Sequence, residues 1–233
     1  MSSGSVWSEE EALAAQIDAD LRALPVQNTP SERALRRSYS QRLRDAPADF
    51  MLGLALELVG RYGHRGFPYE LLRYHRRAFE SLGEAELEQL GRGINSWWSV
   101  DSFARTLAGP AWLRGQVGDE LIHRWARSSD PWWRRAALVS TVALNMRSQG
   151  GRGDVPRTLA VCRLLVDDHE DMVVKALSWA LRELVVHDAQ AVRDFLQEFE
   201  GRLAARARRE VTSKLTTGLK YWRRGRKAAG GAQ

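Results

Sequence analysis

The chain has 233 residues, enough for one large or two small domains whose core needs no covalent staples. Cys162 is its sole cysteine, and the five histidines (His64, His75, His123, His169, His187) lack zinc-ligand spacing, so a disulfide framework is excluded and no metal or other cofactor is expected. The net charge of +6 is unevenly spread: Arg202 to Lys227 holds ten Lys/Arg against Glu210 alone, a segment of +9, which leaves the remainder at −3.

No apolar run approaches the roughly 18 residues of a membrane span. The N-terminus carries Glu9-Glu10-Glu11 where a secretory signal would be basic. A soluble protein of the bacterial cytoplasm or nucleoid is expected. The basic end on an acidic body fits a polyanion partner, and it also fits a solvated helix in an arginine-rich composition.

In chain order, residues 1–25 read as an acidic amphipathic helix with Leu13, Ile17, Leu21 and Leu24 on one stripe. Pro25 to Pro30 breaks it, and Thr29 or Ser31 is placed to cap a helix over 31–44. That helix carries Arg33, Arg36, Arg37, Arg42 and Arg44 around Tyr39, either a phosphate-binding face or solvated arginines. Asp49 to Tyr62 gives another helix, with Leu52, Leu56 and Val59 as its apolar stripe, and Tyr69 to Phe79 begins the next. Helices of 10–16 residues split by short Gly/Pro/Asp turns continue to about Gly218, with no alternating β-branched run. The chain is all-α.

The boundaries expected are an acidic N-terminal helix over 1–28, a helical-repeat domain over 29–220 and a basic disordered tail over 221–233. Asp130-Pro-Trp-Trp-Arg-Arg135-Ala136 and Asp171-Met-Val-Val-Lys175-Ala176 form a weak internal repeat. Their basic residues stand 40 positions apart, a spacing of HEAT-like helix pairs. Stacked pairs form an α-solenoid arc, a superhelix with an extended concave face.

Three segments carry the chemistry. In Asn95-Ser96-Trp97-Trp98-Ser99-Val100-Asp101, Trp97 and Asp101 are i,i+4 neighbours on one helical face. A helix from Val100 buries Val100, Phe103, Ala104 and Leu107 and leaves Asp101 on its flank; Ser99 would cap it, and Arg105 could pair with the acid. In Trp132-Trp133-Arg134-Arg135 the two arginines point 100° apart, and a buried guanidinium must find an anion, for which Asp101 and a DNA phosphate are both candidates. In the helix Lys175 to Glu183, Val173, Leu177, Ala180, Leu181 and Leu184 make the core stripe, while Trp179 lies about 200° from Leu177, beside Lys175 and Arg182. Trp179 is then either a site residue or packing for a second helical layer.

Together with Glu210-Val211-Thr212-Ser213-Lys214-Leu215-Thr216-Thr217-Gly218-Leu219-Lys220, these motifs resemble the AlkD-type DNA alkylation repair family, over roughly Tyr39 to Lys220. The resemblance implies a HEAT-like superhelix whose concave, basic face grips duplex DNA. It also implies excision of purines alkylated at N3 or N7, without a base-reading pocket. By position Asp101 matches the catalytic acid, Trp97 and Trp179 match the aromatics that hold the lesion's deoxyribose, with Trp98 beside them, and Arg135 matches the arginine of the same pocket. Arg134, Lys175, Arg182, Lys214 and Lys220 are expected on the DNA-binding surface of a monomer. Family members that lack the acid and the tryptophans are inert. Where the family reads Asn-Trp-Asp-x-x-Asp, this chain has Ser96-Trp97-Trp98-Ser99-Val100-Asp101, with Trp98 in place of an acid.

The chemistry is sound in itself. N3 or N7 alkylation makes the purine cationic, so the leaving group needs no general acid. One carboxylate suffices to stabilise an oxocarbenium-like sugar and orient water. Two other readings stand beside this monofunctional glycosylase: an inert DNA-binding protein on the same fold, and a HEAT-like scaffold for a protein partner. Methylated and bulky-adduct substrates are not distinguished by the sequence.

Overall fold

Local chemistry sets where the helices begin. In a computed structural model, which describes residues 8–220, Ser8 caps α1 (Glu9–Arg22) and forms a reciprocal box with Glu11. Asn28 caps α2 (Thr29–Arg42) by accepting from the Ser31 N–H, so the cap lies ahead of both Thr29 and Ser31. The chain continues through α3 (Ala48–Gly60), α4 (Gly66–Tyr74), α5 (Arg76–Glu80) and α6 (Glu84–Gly91), with His75 separating α4 from α5. Then follow α7 (Trp97–Phe103), α8 (Gly109–Leu113), α9 (Asp119–Ala126), α10 (Pro131–Asn145), α11 (Val155–Leu164), α12 (Asp171–Leu184), α13 (Ala189–Glu198) and α14 (Ala205–Thr217). No strand occurs among the described residues. None of their helices is long and apolar enough to cross a membrane.

The helices stack in two layers. In the first, α2, α4, α7, α10, α12 and α14 lie side by side in chain order; α1, α3, α5, α6, α9, α11 and α13 form the second. This is the all-α repeat solenoid expected, and the two motif copies on α10 and α12 stand on adjacent first-layer helices. Helix α1 packs on α3, and its Ala14, Ile17 and Leu21 enter the same hydrophobic cluster as the rest of the chain. The expected tail over 221–233 lies outside the described residues.

Two expected faces are turned. In α3 the buried stripe is Met51, Leu54, Ala55, Leu58 and Val59, and Leu52 and Leu56 are only half-buried, because α3 is covered by α1 on one side and α4 to α6 on the other. Tyr39 is buried and its hydroxyl donates to Asp20 Oδ2 at 2.6 Å; burial and that carboxylate push its pKa up to about 12. Tyr39 is thus a core residue that ties α2 to α1.

Helix α10 is the axle. Eleven of its fifteen residues are buried, and it touches α7, α8, α9, α11 and α12. Gly109 fits it closely: a methyl group there would stand 2.7 Å from the Ser140 carbonyl oxygen. Between α7 and α8 the chain makes a π-turn over Ala104–Ala108. Pro110, two residues beyond it, cannot donate to an α-helical partner, and the wider turn absorbs that missing bond.

Candidate functional site

The site grows from the start of α7. Ser96, not Ser99, is the N-cap: its Oγ accepts from the Ser99 N–H at 3.2 Å, and the Ser99 hydroxyl accepts in return from the Asn95 and Ser96 N–H groups. Helix therefore begins at Trp97, one turn earlier than the apolar stripe alone suggests. Asp101 stands in the second turn, where the helix dipole contributes little to its placement. Val100, Phe103, Ala104 and Leu107 are fully buried, as the periodicity requires, and they anchor the helix so that Trp97, Trp98 and Asp101 face away from the core.

Asp101 is gripped by Arg135 of α10. Arg135 Nε donates to Oδ1 and Nη2 to Oδ2, both at 2.9 Å, while Nη1 donates to the Met172 carbonyl at 2.6 Å. Arg135 is only 5% exposed. Of its two candidate anions the guanidinium takes the carboxylate, in the bidentate geometry that planar forks favour. Burial pushes the Asp101 pKa above the ordinary carboxylate value of 3.8, and Arg135 and then Arg105 pull part of that shift back. A carboxylate held this way is oriented and poorly solvated.

The free edge of Asp101 opens on a cleft of about 730 Å³. Trp97 and Trp98 line it while remaining 56% and 49% exposed, and they are the two most solvent-accessible tryptophans among the described residues. Trp98 rests near Gly66, where an added methyl group would sit 3.7 Å from its ring. The opposite wall comes from α2 and α4: Arg33 and Arg36 pair with Glu70, Arg36 lies 4.3 Å from the centroid of the Tyr74 ring, and Arg73 stands beside them. Ser148 and Gln149 close one end.

Trp179 reaches the cluster through Arg105. Its ring lies 5.4 Å from the Arg105 guanidinium, and its indole N–H donates to Glu183 Oε1 at 2.9 Å. The core stripe of α12 is buried as expected, and Trp179 is half-buried on the other side. Arg105 makes no ion pair with Asp101 among the described residues, since the π-turn lets its guanidinium reach across to Trp179 and Met146.

The structure therefore brings Asp101, Arg135, Trp97 and Trp98 together, and Trp179 adjoins them only through Arg105, which lines the same cleft. Arg134 is directed elsewhere, donating to Asp168 at 2.6 Å and to the Ser128 and Ser129 carbonyls. Lys175 pairs with Asp171 at 2.5 Å, and Arg182 donates to Ser178 Oγ. At the end of α14, Lys214 holds the Gly218 carbonyl and Lys220 lies 3.6 Å from buried Glu210. Much of the basic segment is thus engaged within the fold: Arg202, Arg206 and Arg208 pair with Asp167, Asp171 and Glu200. No cluster of metal-ligating side chains occurs among the described residues.

A family model described as DNA alkylation repair enzyme matches residues 27–215, a span that includes every element of this cluster and begins twelve residues before Tyr39. The chain belongs to this family. Its role is accordingly in DNA repair, as an enzyme acting on DNA. No curated protein matches the chain. The family match reaches the cleft wall built by α2 and α4, where Arg33 and Arg36 were read from the sequence as a phosphate-binding or solvated face, while Glu70, Arg73 and Tyr74 carry no sequence signal of their own. Arg105 was named there only as a surface partner for Asp101. Pro110, nine residues beyond Asp101, is the sequence signal that this helix cannot stay regular.

Proposed function

We propose that this protein is a monofunctional DNA glycosylase that hydrolyses the N-glycosidic bond of cationic N3- or N7-alkylated purines in duplex DNA, without a base-reading pocket and without a metal or cofactor. The observation that carries this reading is the Asp101 carboxylate, fixed by two hydrogen bonds from Arg135 at the edge of a cleft rimmed by two exposed tryptophans. That arrangement suits a positive charge developing on a sugar outside the protein core.

In this scheme the bond from C1′ to the purine breaks, and its electron pair goes to the cationic base, which leaves neutral. The deoxyribose becomes an oxocarbenium-like cation beside Asp101. Water adds to C1′ and passes its proton to the carboxylate or to solvent. Asp101 stabilises the cation and orients the water, and its low solvation strengthens both effects. Trp97, Trp98 and Trp179 supply aromatic faces to the cationic sugar, each contact contributing about 0.5–2 kcal/mol. Arg135 positions the carboxylate. Lys175, Arg182, Lys214 and Lys220 add electrostatic attraction to the duplex, and Arg134 braces the turn that carries α10.

The test is release of 7-methylguanine and 3-methyladenine from methylated duplex DNA by the wild type and by Asp101→Asn. A drop of about 10²–10³-fold in the single-turnover rate, with DNA affinity retained, is expected. Equal release by both proteins would remove Asp101 from the mechanism. No release by a wild type that still binds DNA would favour the inert binding reading.

A further inference from the structure

The turn between α10 and α11 reads Arg147-Ser-Gln-Gly-Gly-Arg152-Gly153, and Ser148 and Gln149 at its middle line the Asp101 cleft. Arg147 and Arg152 are exposed, and neither has an acidic partner within 4 Å among the described residues.

The turn is glycine-rich and is nonetheless tightly held. Gly151 donates to the Met146 carbonyl and Gly153 to the Leu144 carbonyl, at 3.0 and 3.1 Å. Gly150 and Gly153 both have φ of 92°, a conformation that disfavours other residues. A methyl group on Gly151 would meet the Ala143 carbonyl oxygen at 2.3 Å, so only glycine lets the turn lie this close to the end of α10. His187 fastens the far side by its Nε2 contact of 2.6 Å with the Asn145 carbonyl oxygen. Two exposed cations thereby stand on a fixed backbone, so the turn itself need not be ordered when an anion arrives.

Its location gives the anion. Ser148 and Gln149 of this turn line the cleft that holds Asp101. Arg147 and Arg152 border an adjoining hollow of about 500 Å³ with His187, and Arg147 also lines a third with Glu183, the partner of Trp179. A duplex seated with one sugar at Asp101 carries its phosphodiester backbone away from that sugar at intervals of several ångströms per nucleotide. We infer that the 147–153 turn is a second DNA-binding element, in which Arg147 and Arg152 each neutralise a backbone phosphate flanking the lesion. This rests on the proposed seating of DNA at Asp101, and it does not rest on catalysis.

The experiment is binding of full-length protein to a labelled, undamaged duplex by fluorescence anisotropy across a KCl series. Removing two phosphate contacts lowers the slope of log K against log [KCl] by about 1.8. That decrease is expected for the double variant Arg147→Gln/Arg152→Gln. It is not expected for Arg193→Gln, which removes an exposed charge from α13 in the second layer. Gly151→Ala, which keeps both charges and displaces the turn, should also flatten the slope. An unchanged slope in the double variant, or a change no larger per charge than that of Arg193→Gln, would overturn the assignment, as would a wild type that does not bind DNA. A wild type that binds with steep salt dependence but releases no methylated base would overturn the glycosylase reading alone.

Discussion

Arg135 meets the carboxylate of Asp101 edge to edge, with two hydrogen bonds of 2.9 Å, and spends its remaining nitrogen on the backbone carbonyl of Met172. One guanidinium thus joins α7, α10 and α12. Removing it leaves a poorly solvated carboxylate without its counter-charge. Arg135→Met should destabilise the fold by about 3–5 kcal/mol, the range for breaking a buried pair from one side. Chemical denaturation measures this, and a loss under 1 kcal/mol would show that the pair is open to solvent.

Asp101 also sets a pH dependence. Its folded pKa is raised, so the carboxylate is lost on acidification at a higher pH than an ordinary aspartate would allow. Glycosylase rate should fall along a limb that starts above the usual carboxylate range. For stability the sign is opposite: the folded state holds this proton more tightly than the unfolded chain does. Ionising Asp101 therefore costs stability as pH rises from 3.8 through the raised value. Rate profiles of the wild type should show the acid limb, and the residual rate of Asp101→Asn should lack it.

Glu210 titrates the other way. It is 1% exposed, accepts from Ser178 Oγ at 2.6 Å and from Arg206 at 3.1 Å, and its pKa is lowered because these bonds, with Lys220, outweigh burial. Its stabilisation is present above 4.5 and lost as pH falls through the lowered value. Glu210→Gln should cost about 1–3 kcal/mol at neutral pH. The difference in Tm from the wild type should shrink on acidification. A difference that is constant with pH would mean that the carboxylate's charge plays no part.

Trp97 and Trp98 are more than 45% exposed, so truncation removes little packing. Trp97→Ala and Trp98→Ala should each stay within about 0.5 kcal/mol of wild-type stability. If each stacks on the lesion nucleotide, each loses about 1–3 kcal/mol of binding to it. Lesion-bearing duplexes measure this by kcat/KM. A rate that survives the loss of Trp98 would assign the sugar contact to Trp97 and leave Trp98 as wall.

Gly109→Ala places a methyl group 2.7 Å from the Ser140 carbonyl oxygen and 2.8 Å from Ala143 Cβ. Overpacking here should cost about 1–3 kcal/mol, and it should push α8 and the π-turn away from α10. Thermal unfolding reads the first effect. A stability equal to wild type would show that α8 is free to shift.

The all-α stack was legible because proline and glycine breaks punctuate runs with a clean 3.6-residue period, as in α12, where each core position named from the stripe is buried. The residues of α7 were legible by spacing, while the start of that helix was not. Ser96 and Ser99 are both good caps, and only the reciprocal bonds between them decide. Pairings across helices lie beyond periodicity. Nothing in the order of residues says that Arg135 takes Asp101 while Arg134 takes Asp168, because that choice depends on which way α10 is rolled against its neighbours. The α2–α4 wall was hidden for the same reason: its arginines look solvated until Glu70 and Tyr74 are brought beside them.

The π-turn over Ala104–Ala108 shifts the helical phase between α7 and α8. A helix that closes a turn with five residues carries one residue more than its length needs, so the phase of everything before it is offset from everything after. Asp101 lies upstream of that offset and Gly109 downstream, so the offset sets the carboxylate's heading relative to the seating of α8 on α10. Deleting a single residue between 104 and 108 would restore a uniform phase. The chain would then have to choose between burying Gly109 correctly and aiming Asp101 at the cleft, and the well-packed end would prevail. The register between the Asp101 cleft and the α10 core is kept by one surplus residue.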